Sequence, residues 1–425
     1  MADDMGLGKT IQAIAFTSVI KDENPTLIIG PSNVIYNWEQ EINTFTPSKS
    51  VVMYTGSNRS RKLNPLEKPA FIITSFGVIK NDIDLLKTIP FKAIIVDEAQ
   101  YIKNPNTLIS KSIKQLTSPF KLAMTGTPVE NHFQDLWNLF DFVMPDFLGS
   151  KADFDRSMKE GQKDWIKTKI KPFIMRREKQ EVLQSLPEKT EVMLHCTMSE
   201  TQETLYQTVL NAAKKGIKNS HGKTERLNIL TALLKLRQVC LHPGLIQEFK
   251  GQALTSAKFE LAKEKLLELM AENHKCVVFT QFTGMLDILE EWTEDLGVSV
   301  YRIDGSVPAK MRQERVGQFQ QSSGAGIFLI SLKAGGVGIN LTAADYVFHL
   351  DPWWNPAVEA QATDRVHRMG QQNKVMVYKF ITQGTIEEKI LALQDAKKTL
   401  LGEIIDIDSI ENQKVNIDDL KSLLF

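Results

Sequence analysis

Two successive series of short, β-branched apolar runs, separated by helix-like stretches, constrain this chain more than any other feature. The first series lies at 27–30, 71–74, 93–97 and 121–125; the second lies at 276–280, 298–303, 327–331, 346–350 and 375–381. Strands covered on both faces are apolar throughout rather than at alternate positions, so such runs, bounded by polar loops, read as buried parallel strands. Two series predict an α/β fold of two doubly wound parallel-sheet lobes. The length, 425 residues, accommodates two or three domains at about 150 residues each. With 42% hydrophobic and 24% charged residues, disorder, collagen-like repeats and disulfide scaffolds are excluded. No apolar run approaches the roughly 18 residues of a membrane-spanning helix, and the start carries no charged-then-apolar leader. Cys196, Cys240 and Cys276 are far apart and form no CxxC pair. That excludes a zinc knuckle or disulfide framework and fits a reducing compartment.

Between the series, 132–245 reads as mainly helical, with apolar residues three and four apart at 135–143 and 227–240. Pro243, Gly244 and Gly251 place the passage to the second lobe near 243–256. The expected organisation is a first lobe at 1–131, a helical insertion and inter-lobe segment at 132–245, a second lobe at 246–400 and an acidic tail at 401–425. The stretch 214–226, basic and containing Gly216 and Gly222, reads as a loop. The 51 basic and 51 acidic residues cancel, but residues 1–250 hold 33 basic against 27 acidic ones, and 151–250 hold 19 against 12. That block is either a solvated surface or part of a polyanion-binding face.

The chain opens on Asp3-Asp4-Met5-Gly6-Leu7-Gly8-Lys9-Thr10, followed by the apolar 11–20. This is the end of a phosphate-binding loop entering a helix. Gly6 and Gly8 let backbone N–H groups approach phosphate, the helix N-terminus favours the anion, Lys9 reaches the outer phosphates and the Thr10 hydroxyl holds Mg²⁺. The first glycine of GxxxxGK[ST] is replaced by Asp3. Asp97-Glu98-Ala99-Gln100 follows an apolar run, which sets two carboxylates at a sheet's C-terminal edge. Asp97 can bind Mg²⁺ through water, and Glu98 can orient or deprotonate an attacking water. Thr125-Gly126-Thr127-Pro128 ends another run and offers two hydroxyls. Far downstream, Gln361 opens the segment QATDRVHRMGQ, in which Arg365 and Arg368 stand three apart. On a helix both guanidinium groups would share a face and could reach one triphosphate as arginine fingers. The glycine-rich 333–342 suits close backbone approach. Trp353 and Trp354 are open to a structural or a DNA-contacting role. His367 has no second His or Cys at metal-ligand spacing.

In order and wording these blocks resemble the SWI/SNF-family ATPases of helicase superfamily two, the double-stranded DNA translocases, over nearly the whole chain. DDMGLGKT is similar to that family's first motif, where an acid commonly replaces the first glycine. Pro31, Trp38 and Glu41 match its PxxxxxxWxxE-like block, DEAQ its acidic box and TGTPVEN its third motif. DLWNLFDFVMPDFLGS and FIMRREKQEVLQSLPEK resemble its linking segments, and VVFTQFTGML, GINLTAADYVFHLDPWWNPAVEAQATDRVHRMGQ and VYKFITQGTIEEKI its second-lobe signatures.

The resemblance implies two RecA-like lobes with a helical insertion in the first. It implies an ATPase using Mg²⁺ and stimulated by duplex DNA, which it translocates to remodel protein–DNA complexes. Gly6, Gly8, Lys9, Thr10, Asp97 and Gln361 would hold ATP, Thr10 and Asp97 the metal, and Glu98, Arg365 and Arg368 would catalyse. DNA would be held mainly through its phosphates, whatever its sequence. A nucleosome or RNA polymerase would be the kind of DNA-bound target, with no membrane partner. The setting would be the bacterial nucleoid and cytoplasm, or the nucleus of a eukaryote. Two alternatives stay open: a strand-separating helicase, and a non-catalytic DNA- or partner-binding module. The latter draws on Met1 and Ala2 being all that precedes the loop, where a strand and a base-reading element are expected; the 425 residues then read as part of a longer protein.

Overall fold

The computed structural model describes all residues except 33, 57–58, 60–68, 127–132, 161–162, 178, 183–185, 219–221, 250–253, 336–338 and 393–420. The chain folds as two compact units, Met1–Gln184 and Ser185–Phe425.

The first unit is built on β1 (Thr26–Gly30), β2 (Val51–Met53), β3 (Phe71–Ser75), β4 (Ala93–Val96) and β5 (Phe120–Ala123). They form one parallel sheet in the order β2-β3-β1-β4-β5. β1, β3 and β4 are buried at every residue, as expected of strands with helices on both faces. Leu27, Ile29, Ile72, Ile94 and Val96 point into one apolar core with Leu139 and Phe142 of the helix Phe133–Val143. That helix's other side, Leu136, Trp137 and Phe140, packs on Phe154 of the helix Lys151–Lys159 and on Ile166 and Ile170 of the helix Lys163–Ile170.

Beside β5, Met1 donates its N-terminal N–H to Ala123 O (2.8 Å) and accepts from Thr125 N (3.1 Å). On the far side, Ala2 N donates to Met175 O (2.7 Å) and Asp4 N to Arg177 O (3.0 Å). Residues 1–4 thus continue the first sheet's hydrogen bonding from β5 to the segment 175–177.

The second unit holds β6 (Lys189–Cys196), β7 (Lys275–Thr280), β8 (Ser299–Ile303), β9 (Gly326–Ser331), β10 (Tyr346–His349) and β11 (Val375–Thr382), a parallel sheet in the order β6-β11-β10-β7-β9-β8. Its two faces carry separate cores, Cys276, Val278 and Phe348 on one and Val277, Phe279 and Val347 on the other.

The division differs from the expected boundary near 243–256. β6 pairs with β11 over eight residues, from Lys189 beside Val375 to Cys196 beside Thr382. The antiparallel helices Glu200–Lys218 and Gly222–Leu241 bury Tyr206, Leu233 and Leu236 against Ile386, Ile390, Leu423 and Leu424. Of the expected insertion, 133–182 therefore belongs to the first unit and 189–241 to the second. The stretch 214–226 is helical on both sides of residues 219–221 rather than a loop; Ile217, buried in that same cluster, holds the first helix past Gly216.

Candidate nucleotide site

The loop ahead of the helix Lys9–Val19 is set by two left-handed glycines, Gly6 (φ 82°) and Gly8 (φ 71°), the latter the helix N-cap. Side chains at these φ values are strained, which is why glycine stands there. Lys9 folds back over the loop, donating through Nζ to Asp3 O (2.7 Å) and Asp4 O (3.0 Å). Thr10 follows, half-buried in the first helical turn.

Asp3 occupies the first-glycine position for a reason the structure supplies. Its carboxylate is fully buried and accepts from Arg177 three times, from the backbone N (3.0 Å), Nε (3.1 Å) and Nη2 (2.5 Å). Arg177 Nη2 also donates to Gln12 Oε1 (2.6 Å), and Lys179 N to Asp4 Oδ2 (3.2 Å). The FIMRREK segment is thereby stapled to the loop by a forked, charge-assisted contact. Sequence reading missed Arg177's part, since 174 residues separate the partners.

Asp97 and Glu98 leave β4 at the sheet's C-terminal edge, both buried. Trp38, fully buried on the helix Ile35–Phe45, donates Nε1–H to Asp97 Oδ2 (2.9 Å), and Glu98 N donates to Asp97 Oδ1 (2.8 Å). Burial pushes the Asp97 carboxyl up to about 6; the Glu98 carboxylate adds to the rise, while the Trp38 N–H and the Lys9 ammonium oppose it. Glu98 itself adopts a left-handed backbone (φ 49°), a strained conformation for a side chain with Cβ. Its Oε2 accepts from Gln100 Nε2 (2.8 Å), and Gln100 Oε1 accepts from Thr125 Oγ1 (3.0 Å). A side-chain relay thus joins Glu98 to the end of β5. A Cβ on Gly126 would lie 2.8 Å from Met5 Cγ and Cε, so the loop after β5 packs directly on the Met5 side chain, which a larger residue would have to displace. Thr127 and Pro128 lie outside the described residues. Behind this edge, Asn138 of the linking helix donates through Nδ2 to Ser110 Oγ (2.9 Å) and to Ile102 O, bracing the turn Ala99–Ile102 that follows Glu98.

The oxygens of Thr10 and Asp97 are hard donors of the kind Mg²⁺ takes, one carboxylate with phosphate and water completing the shell. A divalent cation would also favour the charged form of a carboxyl that burial otherwise disfavours. Among the described residues no cluster of three or more His, Cys, Asp or Glu forms a metal site from protein alone.

In the second unit, Gln361 lies half-buried on the helix Pro356–Thr363. Arg365 and Arg368 do not share a helical face as expected. The helix ends at Thr363, and both arginines sit on the turns that follow, closed by Arg365 N to Ala362 O (3.1 Å) and Val366 N to Thr363 O (2.9 Å). Those turns are pinned on several sides. Leu341 N donates to Arg365 O (2.9 Å), and Gln371 Nε2 donates to Ala344 O (2.8 Å) and Val366 O (3.2 Å). His349 Nε2 lies 2.8 Å from Thr363 Oγ1, and His367 Nε2 lies 2.8 Å from Pro187 O. Arg365 is 8% exposed. The structure therefore gathers Gly6, Gly8, Lys9, Thr10, Asp97 and Glu98 in one unit and Gln361, Arg365 and Arg368 in the other.

Residues 1–245 match the family model described as SNF2-related domain, and residues 257–370 match the helicase conserved C-terminal domain. The first of these extends through the helical hairpin that packs in the second unit. An uncharacterized ATP-dependent helicase of Mycoplasma pneumoniae is 37% identical over 98% of this chain and 41% of its own length. The Bacillus subtilis protein YwqA, provisionally named an ATP-dependent helicase/translocase, is 38% identical over 96% and 46%. The Arabidopsis thaliana ATP-dependent DNA helicase DDM1 is 35% identical over 92% and 57%. The chain thus spans about half the length of these curated relatives. A solved Sulfolobus solfataricus SWI2/SNF2 ATPase core in complex with double-stranded DNA aligns at 36% identity, over 99% of this chain and 91% of that one, with a TM-score of 0.47. With a family model matched over more than half its residues and the helicase C-terminal model over most of the rest, the chain belongs to the SNF2-related, helicase-like ATPase family.

Proposed function

We propose that the chain is the ATP-hydrolysing core of a double-stranded DNA translocase that displaces or remodels proteins on DNA. The observation that carries the catalytic part is the buried Asp97–Glu98 pair at the C-terminal edge of the first sheet, tied by Gln100 to Thr125 and within electrostatic reach of Lys9. The translocase part draws on the naming of the B. subtilis relative and on the family-specific linking segments.

In this reading the N–H groups of Gly6 to Thr10 and the helix they start receive the phosphates, with Lys9 turning from its loop carbonyls to the outer phosphates. Thr10 and Asp97 would hold Mg²⁺, which would supply positive charge to offset that of the phosphates. Glu98, its carboxylate oriented by Gln100, aligns the attacking water and accepts its proton. Gln361 belongs to the nucleotide-binding set, and Arg365 and Arg368 offset the charge spreading over the transferred phosphoryl group. Duplex DNA is the partner, held through phosphate contacts, and ATP-driven change between the lobes moves it.

The rival reading is strand separation, and two assays run together decide between them. Displacement of a third strand from a triplex, without unwinding of a forked duplex, is the expected result. Efficient fork unwinding with no third-strand displacement would favour the helicase.

A further inference from the structure

Arg237 is 2% exposed, yet it belongs neither to the phosphate loop nor to the arginine turns. From the helix Gly222–Leu241 it reaches the C-terminal edge of the second sheet. There Nη1 donates to Gln281 Oε1 (3.0 Å) at the exit of β7. At the exit of β10, Nη2 donates to Asp351 Oδ2 (3.3 Å) and to Pro352 O. Asp351 also accepts from Thr280 Oγ1 (2.6 Å) and Gln281 N (3.2 Å). The rings of Phe282, Trp353 and Trp354 have centroids 5.8, 5.9 and 5.3 Å from the Arg237 Cζ, within cation–π range. One guanidinium thus uses its edge on two strand exits while three aromatic rings surround it.

This is costly architecture for packing alone. Burying an arginine–aspartate pair is commonly no more stabilising than filling the same space with apolar side chains. What distinguishes a guanidinium is its planar fork, which fixes several groups in one geometry at once.

The loop it fixes leads to the arginines. Trp353 N donates to Glu359 Oε1 (2.6 Å), and Asn355 caps the helix Pro356–Thr363 through Ala357 N (3.1 Å). That helix has eight residues, a rigid rod of about 12 Å. Its far end, Thr363, is met by His349 and runs directly into the Arg365 turn. Residues 351–355 and the Arg365 turn are thus the two ends of one short helix, the far end of which is also held by His349 and Leu341.

We propose that Arg237 is a positioning residue: by clamping residues 351–355 against β7 and the helical hairpin, it sets where Arg365 and Arg368 are presented. The inference rests on the reading of those two arginines as the groups that stabilise transferred phosphoryl charge.

The test uses the full-length protein with Arg237→Lys, Arg237→Met, the double variant Arg237→Met/Asp351→Asn, and Arg365→Ala in parallel. Arg237→Lys keeps a charge beside Asp351, and the double variant leaves no buried charge unpaired, so one of them folds even if Arg237→Met does not. The expected result for each folded Arg237 variant is a loss of about tenfold to a hundredfold in DNA-stimulated kcat, the scale of an ångström-sized misplacement. The KM for ATP should move less than about threefold, as for an interaction felt in the transition state only. Tryptophan emission should shift to the red and become more open to acrylamide as Trp353 and Trp354 lose their cover. A stabilising role alone predicts that Arg237→Lys or the double variant, once folded, turns over at the wild-type rate with unchanged emission, and that result overturns the proposal. If Arg365→Ala itself keeps DNA-stimulated turnover, the underlying reading of the arginines fails and the proposal with it. If Arg365→Ala loses turnover while folded Arg237→Lys does not, the positioning role alone fails.

Discussion

Trp38 and Asp97 stand 59 residues apart and share a buried hydrogen bond of 2.9 Å, from the indole N–H to a carboxylate oxygen. The bond fastens the helix Ile35–Phe45 to the acidic edge of the first sheet. It also supplies a donor to a carboxylate that burial would otherwise leave poorly solvated. Trp38→Phe keeps most of the ring volume and removes the donor. A hydrogen bond to a charged group contributes about 1.5–3 kcal/mol, so the first unit should lose stability of that order. Denaturant titration of the variant against wild type reads it; a change within about 0.5 kcal/mol would show the bond to be dispensable.

The Asp3–Arg177 staple gives a second expectation. Arg177→Ala leaves a fully buried carboxylate without its side-chain partner. Breaking a buried pair costs about 3–5 kcal/mol; with Arg177 38% exposed, solvent screening lowers the expected loss to about 2 kcal/mol. ATP affinity should fall as well, because Asp3 and Asp4 shape the loop over which Lys9 lies. Arg177→Ala/Asp3→Asn should recover part of the stability. Equal melting temperatures for Arg177→Ala and wild type would contradict this account.

His349 gives a pH signature. Burial lowers its pKa from 6.5 to about 3, with Lys379 adding to the fall and Glu191 opposing it. The folded state therefore keeps the ring neutral where the unfolded chain takes up a proton. Its contribution to stability is complete above pH 6.5 and declines as pH falls from there toward 3, at up to about 1.4 kcal/mol per pH unit. His349→Phe keeps a ring stacked on Phe279 but removes the bond to Thr363. At pH 7 the variant should be less stable by about 1 kcal/mol; at pH 5 the difference should vanish or reverse. A gap between the two proteins that is the same at both values would refute the assignment.

Glu98→Gln preserves the hydrogen-bonding shape of the side chain and removes its basicity. Nucleotide affinity should stay within about twofold while turnover falls by about 10²–10⁴, the range for loss of a general base. Fluorescent-nucleotide titration and steady-state phosphate release measure the two quantities separately. Near-normal hydrolysis would remove Glu98 from the role.

The central strands of both sheets were legible because they are buried on both faces. β1, β3, β4 and β9 carry no exposed residue, so their sequences are plain apolar runs. β6 was not legible: it is an edge strand whose KTEVMLHC is largely exposed, and it offers no apolar run. Missing it moved the expected boundary, since β6 and the hairpin after it pack in the second unit. The glycine loop before Lys9 and the Asp97–Glu98 pair stand out in the sequence as local patterns. The contacts that hold them do not, because Asp3–Arg177, Trp38–Asp97 and Arg237–Asp351 join residues 174, 59 and 114 apart. The arginine pair was found by spacing, but Thr363 ends the helix two residues before Arg365, a limit set by tertiary contacts through His349, Leu341 and Gln371 rather than by local propensity.

The proposed function requires Arg365 and Arg368 for DNA-stimulated hydrolysis. The most direct measurement is the ATPase rate of wild type, Arg365→Ala and Arg368→Ala with and without saturating duplex DNA, beside the nucleotide affinity of each. Arginine fingers contribute about 10³–10⁵ in rate in other phosphoryl-transfer enzymes. Duplex DNA should strongly stimulate the wild type. Both alanine variants should lose nearly all of that stimulation while retaining nucleotide and DNA binding, and lysine should rescue poorly, offering a point charge in place of a planar fork. Wild-type stimulation in both alanine variants would contradict that requirement.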